Sequence, residues 1–237
     1  MIAGQDADDL ILDSVAVDDF VVWSEWALAR VGFRPSNALA LVDVCRDELM
    51  ADFHEAVADV WGRPFDLGSL AGMVFLGRTG VQAALSHVPG EDGRHRFVVF
   101  CFPHIGMDED GTIGRVKRRG MSRASTACGA LVAFRDQLLN GQRILAIDTG
   151  DVEQSLLRMR LEPLVGDSVP SLLDLTELAR TSAVADVAGF IEKARGLEPV
   201  DVAFISGIVV HMPFGPDLVS RVAAEVVIDG VVIPLPH

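Results

Sequence analysis

Two short, unbroken apolar runs constrain this chain most, because each has strand length and each empties directly onto reactive side chains. Residues 37–45 read Asn-Ala-Leu-Ala-Leu-Val-Asp-Val-Cys, and residues 96–102 read Arg-Phe-Val-Val-Phe-Cys-Phe. Runs of this length without polar alternation suit buried strands. After the first run, residues 46–61 place Leu49, Met50, Phe53, Val57, Val60 and Trp61 on one stripe. A helix is expected there, stopped by Gly62-Arg63-Pro64. Strand, then Cys-Arg-Asp, then helix puts Cys45 at the carboxyl end of a strand, where open α/β sheets build their sites. The second run delivers Pro103-His104-Ile105-Gly106 at its own end.

The remaining pattern fits the same architecture. Residues 6–31 carry Leu10, Val17, Val21 and Trp26 at helical spacing and read as one or two helices, so residues 1–35 form an N-terminal helical segment. Residues 79–88 read as a helix, residues 125–128 open another that runs to Asn140-Gly141, and residues 152–160 and 171–195 are mostly helical. Residues 202–210, 218–228 and 231–235 supply strands in antiparallel style around Asp229-Gly230. The expected fold is α/β, with a mixed β-sheet flanked by helices in one domain spanning residues 1–237.

Charge and composition narrow the function. The 34 acids against 20 bases give a net charge of −14, which speaks against general binding to nucleic acid or an anionic membrane. Half of the 237 residues are hydrophobic, enough for a large core, yet no apolar stretch nears the ~20 residues that cross a bilayer. The N-terminus is acidic where a signal peptide is basic, and three cysteines make no disulfide framework, so a cytoplasmic protein with free thiols is expected. Charge is uneven: residues 91–123 hold Arg115, Lys117, Arg118, Arg119 and Arg123 close together. That stretch reads either as a solvated basic loop or as a local field for a small anion.

Cys45, His104 and Cys128 each stand at a strand or helix end. Two thiolates and an imidazole make a known zinc donor set that leaves a fourth position for water. Their long-range spacing forms no zinc-finger pattern, and buried cysteines also serve as small hydrophobes, so both readings stay open. Arg46 and Asp47 add a guanidinium and a carboxylate next to Cys45, although acids also favour a helix start. Cys45 as the nucleophile of a thiol enzyme lacks a base nearby in sequence.

Other candidates carry less. Asp108-Glu109-Asp110-Gly111 fails as a calcium loop, because Gly106 and Lys117 would occupy its first and last ligand positions. Gly77-Arg78-Thr79-Gly80 lacks the lysine of a phosphate loop. His54 could approach the Cys45 pocket but is better read as packing, His87 and His95 flank a turn, and His211 and Cys101 read as core residues.

The order of five motifs adds a family. Asp43-Val44-Cys45-Arg46-Asp47-Glu48, Leu70-Ala71-Gly72, Gly77-Arg78-Thr79-Gly80, Pro103-His104-Ile105-Gly106 and Ala127-Cys128-Gly129-Ala130-Leu131 follow one another across residues 31–140. This order resembles the limiting-CO2-inducible protein B/C family, a divergent branch of the β-type carbonic anhydrases related to the theta class. The resemblance implies a similar α/β fold, a homodimer, and reversible hydration of CO2 to bicarbonate by a zinc-bound hydroxide. It makes Cys45, His104 and Cys128 the Zn2+ ligands, with Asp47 and Arg46 as a carboxylate–guanidinium pair beside the zinc water. Ordinary β-type enzymes carry Cys-x-Asp-x-Arg; here the position four after the cysteine is Leu49, and the arginine is Arg46. The family also holds catalytically silent members, so a zinc-binding structural or regulatory subunit that takes CO2 or bicarbonate is the second reading.

Overall fold

The computed structural model describes residues 3–90, 93–118, 120–143, 145–194, 196 and 199–235. Its centre is a set of parallel strands: β2 (Leu39–Val44) lies between β3 (Phe65–Asp66) and β4 (His95–Phe102), and β4 pairs with β8 (Val200–His211). The short β5 (His104–Gly106) extends the sheet along β8. Beyond β8 the sheet turns antiparallel through β9 (Leu218–Ile228), which also carries β1 (Val15–Ala16) and β10 (Val231–Pro234). The fold is therefore α/β with a mixed central sheet, as the sequence pattern predicts.

Strand periodicity divides the core. Val42, Val44, Phe100 and Phe102 face one side, where they meet α2 (Val17–Ala29) and α3 (Ala51–Trp61). There the Phe53 ring lies 5.0 Å and the Phe20 ring 5.3 Å from that of Phe102. Leu41, Val99 and Cys101 face the other side, against α4 (Gly77–Leu85) and the second half of α7 (Leu172–Ala194). Cys101 is thus a core residue, as its place in the alternation indicates. The Trp61 indole donates to Ser24 Oγ at 3.1 Å and joins α2 to α3.

The N-terminal helical segment consists of two helices, α1 (Ala3–Ile11) and α2, separated by β1. Besides α4, which runs over residues 77–85 where 79–88 are expected, two helix starts differ from the sequence expectation, both beside the reactive residues. The helix expected from residue 46 begins only at Ala51, after a 3-10 turn at Glu48–Met50. Asp47 causes the delay: its side chain accepts from Leu49 N–H at 3.1 Å while its own backbone stays extended, which holds residues 45–47 off the helix. The helix expected from residue 125 begins at Gly129 as α5 (Gly129–Leu139), because β7 (Ser125–Thr126) pairs with β6 (Arg115–Val116). Cys128 becomes its N-cap residue. The remaining helix, α6 (Val152–Leu161), agrees with expectation to within a residue.

Gly68 sets how closely the next loop approaches the sheet end. A Cβ there would lie 2.0 Å from the Val44 carbonyl oxygen, so only bare backbone can pass. Gly68→Ala is predicted to destabilise the fold by at least ~2 kcal/mol, toward the upper range for forced overpacking. A urea midpoint equal to the parent's would show that the loop can move aside.

Candidate metal centre

Register explains why distant residues meet. In the parallel β2–β4 ladder Val44 stands opposite Phe102, so Cys45 and Pro103-His104 leave the sheet side by side. Pro103 lacks a donor N–H and breaks β4 from β5, while its carbonyl accepts from Val209 N–H at 3.0 Å and keeps the chain on β8. Gly106 N–H donates to the Ala127 carbonyl at 3.0 Å, which draws the strand before α5 onto β5 and brings Cys128 to the same place.

One ligand atom from each of Cys45, His104 and Cys128 lies within 4.8 Å of the others, and all three residues are buried. The two sulfurs are 3.7 Å apart, far beyond a disulfide bond. Two thiolates at ~2.3 Å from a tetrahedral zinc would stand ~3.8 Å apart, so the sulfur spacing suits that ion. His104 Nε2 is a buried ring nitrogen without a hydrogen-bond partner, whereas Nδ1 lies 2.8 Å from His211 Nε2. An unpartnered buried nitrogen next to two sulfurs is what a ligand looks like before its metal is counted. These residues fit zinc.

Electrostatics point the same way. The Cys45 thiol is pushed down to about 4, chiefly by the hydrogen bond from Cys128, with His104 and the Asp47 amide assisting against burial. Ala71 N–H also points at Cys45 Sγ, 3.2 Å away, from a residue in the left-handed region at φ 58°. Cys128 is pushed well up because its neighbour already holds the negative charge, and burial adds to this. Without a cation the pair keeps one proton; a cation favours the loss of both.

Asp47 and Arg46 separate. Asp47 Oδ2 lies 3.9 Å from His104 Nε2, close to the metal position, and burial pushes its carboxyl up. The Arg46 side chain is 60% exposed, and its Nε pairs with Glu153 Oε1 at 3.1 Å. Arg46 and Asp47 therefore do not form the ion pair that the resemblance implies. The physical reason is Glu153 itself, whose other oxygen accepts from Ser69 Oγ at 2.6 Å and Leu70 N–H at 3.3 Å, making a fixed carboxylate for the guanidinium. A groove of about 560 Å3 opens beside this turn, lined by Arg46, Asp47, Glu48 and His54.

Around it, the basic stretch is balanced by acids. Arg115 pairs with Asp108 at 3.4 Å, Lys117 with Glu109 at 3.6 Å, and Arg118 with Glu48. Arg119 lies outside the described residues. Asp108 Oδ1 accepts from the amides of Asp110 and Thr112, so this acidic segment is a turn, as expected.

Sequence reasoning missed three contributors. Glu153 gave no signal beyond an acid in a helix start, and Ala71 entered only as part of a motif. His211 read as a core histidine; it is 2% exposed and both ring nitrogens are partnered, Nδ1 by Asp217 Oδ2 at 2.6 Å. A polar residue among Ile208, Val209 and Val210 was the available clue.

Known proteins agree with this fold. No functionally curated protein matches the sequence. The structure is similar to that of PtLCIB4, a homolog of the limiting CO2-inducible protein LCIB, with TM-score 0.82, 23% identity and 99% of each chain covered. It is also similar to limiting CO2-inducible protein LCIB, with TM-score 0.75, 28% identity and 95% of each chain covered. Residues 14–227 match the family signature described as limiting CO2-inducible proteins B/C beta carbonic anhydrases, and the chain belongs to that family.

Proposed function

We propose that this chain is a zinc-dependent carbonic anhydrase that hydrates CO2 reversibly to bicarbonate. The observation that carries the proposal is the convergence of two cysteine sulfurs and the unpartnered His104 Nε2 within 4.8 Å, with Asp47 Oδ2 at 3.9 Å from that nitrogen. Cys45, His104 and Cys128 would hold the ion, which supplies Lewis acidity that makes a water nucleophilic near neutral pH.

The rest is the work of the chain. Asp47 is anchored at Oδ1 by Leu49 N–H, which leaves Oδ2 to accept a hydrogen bond from the attacking water and aim its lone pair at carbon. CO2 is small and apolar and asks for no elaborate recognition. Arg46 pairs with Glu153 in the structure, and in this reading it exchanges that partner for Asp47, which it then restrains. In this reading the chain acts as a single domain and a homodimer. Light scattering that gives about twice the 25.5 kDa chain mass would support the dimer, and the chain mass alone would exclude it. Among the described residues no helix is long and apolar enough to span a membrane; a cytoplasmic place belongs to the same proposal.

One observation favours the second reading, a silent zinc-binding member: Arg46 is engaged by Glu153, not by Asp47. A stopped-flow CO2-hydration assay on protein of known zinc content separates the two, since a loaded, folded and inactive parent excludes the enzyme.

Two further outcomes are expected. Purified parent should carry about one zinc per chain, and Cys45→Ala, His104→Ala or Cys128→Ala should lose most of it. Chelation should lower the thermal midpoint of the parent, since a ligand at ~100 times its Kd stabilises the fold by ~2.7 kcal/mol. Asp47→Ala and Arg46→Ala should both retain zinc while hydration falls by at least ~10²-fold. Full activity in Arg46→Ala at equal zinc content would leave Arg46 as a surface partner of Glu153.

A further inference from the structure

His104 can bind a metal through Nε2 only if its proton sits on Nδ1. Nothing in the imidazole itself fixes that choice, so the surroundings must. From the geometry we infer that His211 and Asp217 are positioning residues that set this tautomer, through a hydrogen-bonded relay from Asp217 to His104. The inference rests on the metal reading above and deepens it.

The polarity follows from one end. As a carboxylate Asp217 can only accept, so His211 Nδ1, 2.6 Å from Oδ2, must donate. A neutral His211 then presents a bare Nε2, which accepts from His104 Nδ1–H across 2.8 Å. His104 is left with a lone pair on Nε2, directed at the two sulfurs. The opposite tautomer would leave two bare nitrogens, His104 Nδ1 and His211 Nε2, facing each other across 2.8 Å with no proton between them. Both histidines are at most 2% exposed, so water cannot easily repair a wrong arrangement.

The relay is also mechanically fixed. His211 ends β8 opposite Gly106, in the ladder that carries His104 opposite Val209. Asp217 Oδ1 accepts from Met212 N–H at 3.2 Å, and the Asp217 carbonyl accepts from Val17 N–H at 3.1 Å at the start of α2. The backbone bond fixes the residue's place, and the carboxylate cannot turn away from His211 without also losing Met212 N–H. An imidazole backed by a carboxylate is also a more electron-rich ligand.

Asp217→Asn makes a sharp test because it keeps shape and reverses polarity. Met212 N–H holds the amide oxygen, so the amide NH2 faces His211 Nδ1. That nitrogen must then accept, Nε2–H must donate to His104 Nδ1, and the His104 proton moves to Nε2, where it blocks the metal. His211→Gln is the counterpart: its oxygen can accept from His104 and its NH2 can donate to Asp217, which preserves the polarity.

Two measurements read this. Long-range 15N–1H correlation spectra of metal-free protein at about pH 8, above the ordinary histidine pKa, report which ring nitrogen carries the proton. Cobalt(II) titration against a competing chelator, followed by the thiolate-to-metal band, reports affinity. The parent should show His104 Nδ1–H; Asp217→Asn should show Nε2–H and bind cobalt ~10–100-fold more weakly. His211→Gln should keep the parent tautomer and most of its affinity. A merely structural role would lower thermal stability in Asp217→Asn and leave the His104 proton on Nδ1 with parental affinity, and that result overturns the inference. So does a parent with its proton on Nε2. A parent that shows Nδ1–H yet takes up no cobalt overturns the metal reading and leaves the polarity of the relay standing.

Discussion

The parallel pairing of β2 with β4 is the constraint on which the site depends. With Leu39 opposite Phe97 and Val44 opposite Phe102, the two central strands end level, and whatever follows each one is delivered to the same edge. A slip by one residue would send Val42 and Phe100 to the face occupied by Leu41 and Val99. The aromatic packing of Phe53 and Phe20 on Phe102 opposes that slip, because each fully buried aromatic side chain contributes on the order of 1.5–3 kcal/mol. The metal centre thus inherits its precision from a hydrophobic register and not from its own polar contacts.

Around that edge the chain tolerates polar burial that an ordinary core would reject. Asp43 sits in β2, fully buried, with neither carboxylate oxygen hydrogen-bonded to nitrogen or oxygen, and burial pushes its carboxyl well above the usual range. Cys45 and Cys128 are buried with their sulfurs 3.7 Å apart, and the contact pushes the Cys45 thiol down. Such groups cost stability unless something compensates them. For the thiols the compensation is visible: the Ala71 amide, the start of α5 and the position facing His104 Nε2. For Asp43, burial favours the neutral carboxyl, which lies beside Cys101, its partner in the ladder.

Much of this was legible in the sequence, and the reasons are physical. Strand identity came from mostly apolar runs of strand length, and β9 matches its expected bounds and β2 and β4 nearly so. Helix starts at residues 46 and 125 were misplaced because apolar periodicity continues through a segment that side-chain capping and a two-residue ladder hold extended. Cys45, His104 and Cys128 could be named from residue type and family resemblance, but their convergence depends on contacts 83 residues apart in sequence. The partners of Arg46 and His104 were beyond reach for the same reason. Glu153 and His211 become meaningful only once α6 and β8 lie against the strand ends.

Arg46 and His104 show two solutions to one problem, the control of a polar side chain beside the cluster of Cys45, His104 and Cys128. His104 is handled by enclosure: its buried ring meets a second buried ring, which a carboxylate backs. Arg46 is handled at the surface, where its 60% exposed side chain meets a Glu153 already fixed by Ser69 and Leu70. Exposed ion pairs contribute little and exchange readily, commonly within about 1 kcal/mol of breaking even. The Arg46–Glu153 pair can therefore open at little cost, whereas the relay behind His104 cannot rearrange without reversing every bond in it. Enclosure thus holds His104 in one place, and exposure leaves Arg46 exchangeable.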